Sequence, residues 1–130
     1  MANNQKTNED GMTSQVYLDI EGIIHVESIG LQTEDEALKV RKKVMELGKN
    51  VPGKVRILNN LTRMSKATAR SRKTTAESIK LPEIGKVASF GGSTFARVVA
   101  SFVIKATGME HKVKYFETEE EALKWLKKGE

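Results

Sequence analysis

The sequence predicts a single layered α/β domain, with a mixed, mostly parallel sheet that opens on an N-terminal β-hairpin. Three observations lead there. A period-two apolar pattern with a turn at its centre fills 15–29. Beyond it, short β-rich runs alternate with stretches of helical periodicity, in the order β-β-α-β-α-β-α-β-α. The chain has 130 residues, 38% of them hydrophobic, which suits one core rather than two. Strands joined through helices pair in parallel, and only the hairpin forces an antiparallel neighbour, expected at an edge.

The elements follow in order. Residues 1–14 hold no apolar periodicity and read as a disordered polar tail before a domain spanning 15–130. Val16, Leu18 and Ile20 alternate with polar neighbours, Glu21-Gly22 supplies a turn, and Ile23 to Val26 resume a strand. Thr33 and Glu36 make a capping box. Ala37, Val40, Val44 and Leu47 then form one apolar stripe on a helix to Gly48, read as its C′ residue. Lys54 to Asn59 reads as a short strand. Ser65 is expected to cap a second helix reaching Ile79, with a thin apolar side of Ala69, Ala76 and Ile79. Lys86 to Phe90 is a strand ending in Gly91-Gly92, and Ser93 or Thr94 opens a helix that stops at Gly108. Lys112 to Phe116 is the last strand. Thr118 and Glu121 cap a final helix carrying Ala122, Leu123, Trp125 and Leu126.

Composition narrows the function classes. With no Cys, disulfides, thiolate nucleophiles and Cys-ligated metals are excluded. His25 and His111 are far apart, and no metal or cofactor is expected. No apolar run reaches the roughly 20 residues of a membrane span, and 1–14 lacks a signal-peptide pattern, so the cytoplasm is the expected compartment. No triad or paired-carboxylate pattern points to catalysis, and an enzyme is not expected.

Charge is concentrated. The net charge is +5, and the window Leu61–Lys80, with six bases and one acid, carries all of it. Arg63, Lys66, Arg70 and Lys73 are the candidate partner-binding face; on a helix, Lys66, Arg70 and Lys73 would share one side. Such a face suits an acidic protein surface, or it is simply solvated. Without an aromatic residue for base stacking, it argues against nucleic acid.

Two further features stand out. The turn Gly91-Gly92-Ser93-Thr94, with Arg97 one helical turn on, is either a tight βα connection or a weak anion site at a helix N-terminus. The helix 94–107 has a narrow polar stripe of Thr94, Arg97, Ser101 and Lys105, and apolar residues elsewhere. It must bury more than one side. Phe95, Val98, Val99, Phe102 and Val103 would meet the core, a second copy of the chain, or a small apolar or amphipathic ligand. The helix carrying Trp125 and Leu126 is one cover within the chain.

The C-terminal half carries a resemblance. The run Lys86-Val87-Ala88-Ser89-Phe90-Gly91, the helix Phe95 to Ile104, and Val113 through Leu126 with its Ala122-Leu123-Lys124-Trp125-Leu126 ending resemble the STAS-type SpoIIAA-like domains. These are related to anti-sigma-factor antagonists, and some members are described as similar to CRAL-TRIO lipid-binding domains. The resemblance spans about Val16 to Lys128. It implies a non-enzymatic interaction and regulatory module, with carriage of an apolar or lipid-like ligand beside 94–107 as the alternative. In phosphorylated members the third strand leads into an Asp-Ser-Ser/Thr-Gly turn. Here the matching stretch is Met64-Ser65-Lys66-Ala67-Thr68. It lacks the acid, the paired hydroxyls and the Gly, leaving Ser65 and Thr68 as the phospho-acceptor candidates.

Overall fold

The computed structural model describes residues 12–128. One five-stranded sheet runs in the order β1-β2-β3-β4-β5. β1 (Gln15–Leu18) pairs antiparallel with β2 (Ile23–Gln32). β2, β3 (Val55–Ala67), β4 (Ile84–Phe90) and β5 (Val113–Phe116) pair in parallel. Between them lie α1 (Glu34–Gly48), α2 (Ala69–Ile79) and α3 (Thr94–Thr107), and α4 (Glu119–Lys127) closes the chain. The expected order of elements and the antiparallel edge strand are both present.

Each crossover steps to the next strand in the same direction. Right-handed connections therefore lay α1, α2 and α3 side by side on one face. Val44, Ala76, Val99 and Val103 pack there against Ile24, Leu61 and Val87. α4 lies on the other face, where Ala122 and Leu126 are fully buried against Ile23, Leu58, Ala88 and Phe90. Its Trp125 ring lies 5.0 Å from the Lys86 ammonium. The sheet thus separates α4 from α3, so Trp125 and Leu126 do not cover α3 as the sequence suggested.

The caps follow local chemistry. Thr33, Ser93 and Thr118 accept hydrogen bonds from the backbone of Glu36, Ala96 and Glu121, and Gly108 ends α3 in the left-handed conformation. Gly48 is instead the last residue of α1, with Lys49 as C-cap. A Cβ on Gly48 would come within 2.7 Å of Val55 Cγ2, so close packing accounts for the glycine.

Several boundaries differ from expectation; β2 runs on to Gln32 and β4 begins at Ile84. β3 extends to Ala67, and Thr68 rather than Ser65 caps α2, its Oγ1 accepting from the Ser71 N–H at 3.0 Å. The β2–β3 register shifts twice, between Glu27 and Ile29 and between Gly30 and Leu31. These bulges hide the strand's period. Ile20, expected as a strand residue, is fully exposed at the tip of the hairpin. There Asp19 takes its place in the turn, accepting from the Glu21 and Ile23 amides at 2.8 and 3.0 Å.

A further difference concerns the tail. Met12 and Ser14 are fully buried, so the ordered domain begins before residue 15; residues 1–11 lie outside the described residues. The cause is Glu36. Its carboxylate does not complete the capping box. It accepts from the Ser14 N–H at 2.6 Å and from the Thr13 N–H and hydroxyl at 3.3 and 3.2 Å.

Glu36→Ala should therefore cost about 2–4 kcal/mol, because charge-assisted bonds to a buried amide are lost together. Urea unfolding should show this, with exchange protection of the Ser14 amide falling first. A second expectation concerns acid. Burial works against the Asp19 charge, but the Ile23 amide, His25 and the Glu21 amide outweigh it and hold the carboxyl below the usual carboxylate range. The stability it supplies is present above about pH 4 and is lost as pH falls through the lowered value. Asp19→Asn should flatten the acid limb of the melting-temperature profile.

Candidate functional site

The sequence-selected residues meet at one end of the sheet, where the carboxyl ends of β3 and β4 face the N-termini of α2 and α3. Ligands of open α/β sheets bind at such ends. Ser65 and Lys66 are exposed on β3, and Thr68 is exposed at the start of α2. Arg63 also lies on β3, 3.6 Å from Glu27. Arg70 and Lys73 lie exposed on α2, and Arg70 is 3.6 Å from Glu34. The basic face therefore spans a strand and a helix, and is not the single helical stripe read from spacing, because Lys66 belongs to β3.

The Gly91-Gly92 turn abuts the β3 bulge. Both glycines have positive φ, 78° and 90°. A Cβ on Gly91 would lie 2.7 Å from Thr62 Oγ1. One on Gly92 would lie 2.6 Å from Ala96 Cβ and 2.8 Å from the Leu61 carbonyl oxygen. Tyr115 donates its hydroxyl hydrogen bond to the Gly91 carbonyl at 2.8 Å. Arg97 stands over the Tyr115 ring at 5.4 Å and is ion-paired with Glu117. Gly91, Gly92, Ser93, Thr94 and Arg97 do come together, but an anion there would have to compete with Glu117. Backbone conformation and tight packing account for the glycines.

The apolar residues of α3 divide between two faces. Val99 and Val103 are buried, whereas Phe95, Val98 and Phe102 are 45%, 60% and 55% exposed. The three exposed positions recur at i, i+3 and i+7, so they form one outward stripe. The Arg72 guanidinium lies 5.1 Å from the centre of the Phe102 ring, which joins this stripe to the basic side of α2.

Two features were missed by sequence reasoning. The first is a cavity of about 140 Å³ between the sheet and α1–α3. Its apolar walls include Val26, Ile57, Leu61, Val99, Val103 and Ile104; Ser71, Thr75 and Ser89 add hydroxyls, and Arg41 and Arg72 add guanidiniums. The only sequence signal was the shortage of large side chains on α2. The second is a groove at the opposite end of the sheet. Lys54, Arg56, Lys80, Lys86, Lys112 and Lys128 line it. Burial and the neighbouring Lys54 charge push the Lys112 ammonium below its ordinary value. Several of these cations rest on helix C-terminal carbonyls. Lys86 donates to the Trp125 and Lys128 oxygens and Arg56 to that of Leu126, where helix dipoles favour positive charge.

Among the described residues, no cluster of three or more His, Asp or Glu could hold a metal ion, and no helix is long and apolar enough to cross a membrane.

The family model described as SpoIIAA-like matches residues 23–127. The chain belongs to the SpoIIAA-like family. No curated protein sequence matches it. Among solved structures, an uncharacterized protein with a SpoIIAA-like fold from Shewanella loihica aligns with a TM-score of 0.62 and 14% identity. That match covers 97% of this chain and 98% of that one. An anti-sigma factor antagonist from Mycobacterium paratuberculosis aligns with a TM-score of 0.65 and 18% identity, covering 94% and 99%. The phosphorylated form of SpoIIAA, a Bacillus cell fate determinant, aligns with a TM-score of 0.61 and 16% identity, covering 88% and 99%. At these identities the likeness is one of fold.

Gly92→Ala should destabilise the protein by on the order of 1–3 kcal/mol, since both the φ and the Leu61 contact must yield. Chemical denaturation measures this. Gly30→Ala, at a positive φ with open space around it, should cost less.

Proposed function

We propose that this protein is a non-catalytic regulatory module that binds an acidic protein partner through the outer surfaces of β3, α2 and α3. The observation that carries this reading is the continuity of charge and apolar area. Arg72 of α2 lies against Phe102 of the exposed Phe95-Val98-Phe102 stripe. Arg63, Lys66, Arg70 and Lys73 are exposed on β3 and α2, with Arg63 and Arg70 turned toward Glu27 and Glu34. Apolar area flanked by cations suits a partner with an apolar patch rimmed by acids. A second copy of this chain fits less well. A two-fold interface sets each patch against itself and would bring the cations together.

The regulation would not use the phosphorylated turn of the antagonists. Ser65 lies on a strand between Met64 and Lys66, and the Thr68 oxygen caps α2. Neither has the Asp-Ser-Ser/Thr-Gly surroundings that the resemblance calls for. The protein would act where it is soluble, and the cytoplasm suits a chain without cysteine.

A second reading, carriage of a small apolar or amphipathic ligand, is favoured by the cavity beneath α3, which Val99, Ala100, Val103 and Ile104 border.

Tagged protein expressed in its source cell should retain an acidic partner. With that partner purified, Lys66→Glu combined with Lys73→Glu should weaken binding at least about tenfold. Native binding should also fall between low and high salt. Phe102→Ser should weaken binding with little salt dependence. Indifference to charge reversal, a stable dimer formed by this patch, or stoichiometric phosphate on Ser65 or Thr68 would each contradict the proposal.

A further inference from the structure

The core cavity has a chemical polarity beyond that of a packing defect. A dry void is normally lined by carbon, and buried polar groups normally have partners. Here Ser71 and Ser89 are 3% and 7% exposed and border the cavity. Neither hydroxyl has a hydrogen-bond partner among the described residues. On the boundary between α1 and α2 stands Arg41. Its Nε donates to Ser78 Oγ at 2.7 Å and its Nη2 to the Thr74 carbonyl at 3.2 Å. Both acceptors are uncharged, and no carboxylate of the described residues lies within ion-pair distance. A half-buried guanidinium at the wall of an apolar chamber is suited to an anionic head group.

We infer that this cavity is a binding site for a small amphipathic carboxylate, with its hydrocarbon part among Val26, Ile57, Leu61 and Val103 and its carboxylate on Arg41. This inference rests on the ligand-carriage reading above, not on partner binding. Size sets the class. About 140 Å³ is close to the ~150 Å³ cavity that accepts benzene in another protein. Aromatic acids of one ring and short aliphatic acids therefore fit, and long acyl chains do not. α2 makes the room, because Ser71, Thr75 and Ser78 occupy lining positions that larger residues would fill.

The test titrates benzoate, and separately its neutral counterpart benzyl alcohol, into the full chain, followed by amide NMR shifts and melting temperature. Saturable benzoate binding is expected, with shifts centred on α1, α2 and the inner face of α3. It should be at least about fivefold tighter than that of benzyl alcohol, as a charge-assisted bond allows. Arg41→Gln should remove that preference and leave benzyl alcohol binding intact. Arg41→Lys should restore it in part. Thr75→Leu, which fills the chamber from a half-buried position, should abolish binding of both and leave the native melting transition in place.

If benzyl alcohol binds as well as benzoate, the carboxylate assignment falls while ligand carriage stands. If neither compound binds saturably, both fall. If Thr75→Leu folds and still binds benzoate, the site lies elsewhere and the inference is overturned.

Discussion

The handedness of βαβ crossovers, combined with a strand order that never reverses, governs this molecule. It lays three helices in a row on one face of the sheet and leaves the other face to α4. α2 is then the middle helix and must roof the central strands. Its sequence, Ala-Arg-Ser-Arg-Lys-Thr-Thr-Ala-Glu-Ser-Ile, offers Ala76 and Ile79 as its buried apolar residues. Ser71, Thr75 and Ser78 take lining positions where a filled core would carry leucine or isoleucine. The cavity follows from that shortage. So does the apolar excess of α3, whose Val99 and Val103 help close the core while Phe95, Val98 and Phe102 are left facing out.

Legibility in the sequence tracked the range of the interaction responsible. The hairpin, the caps of Thr33 and Thr118, and the stop at Gly108 depend on residues a few positions apart and are readable; for α3 the sequence leaves Ser93 and Thr94 open, and Ser93 is the cap. β3 is not readable in the same way. Val55 and Leu61 face α1–α3 while Leu58 faces α4, and a bulge after Asn60 turns Met64 to the α1–α3 side as well. Buried residues thus recur at every third position, a spacing that fits neither period two nor a helix. Read from sequence, the strand therefore ends at Asn59 and the helix starts at Ser65, whereas β3 continues to Ala67. The order of Met12 to Ser14 was equally hidden, because it depends on Glu36 more than twenty residues away.

The candidate site divides along the same line. Arg63, Lys66, Arg70 and Lys73 were recognisable by charge density alone, and all four are at the surface. Their arrangement was misjudged because one boundary was wrong. Gly91 and Gly92 were identifiable as a turn, but their reason is the approach of Leu61 and Thr62 from a neighbouring strand. The cavity and the lysine groove are concave features assembled from several elements each. No local pattern could reveal them, although the small polar residues of α2 were a signal in plain view.

The sheet's two borders carry a further consequence. β1 and β5 have four residues each, against seven to thirteen in the three strands between them. A short border strand offers few unpaired amides and carbonyls to an incoming chain. Recruitment of a partner by extending the sheet would gain little here, and so would the runaway stacking that long, flat borders invite. Short borders thereby favour side-chain surfaces over sheet extension for any self-association. Its solubility at high concentration should respond to substitutions at Phe95, Val98 and Phe102 far more than to substitutions along either border strand.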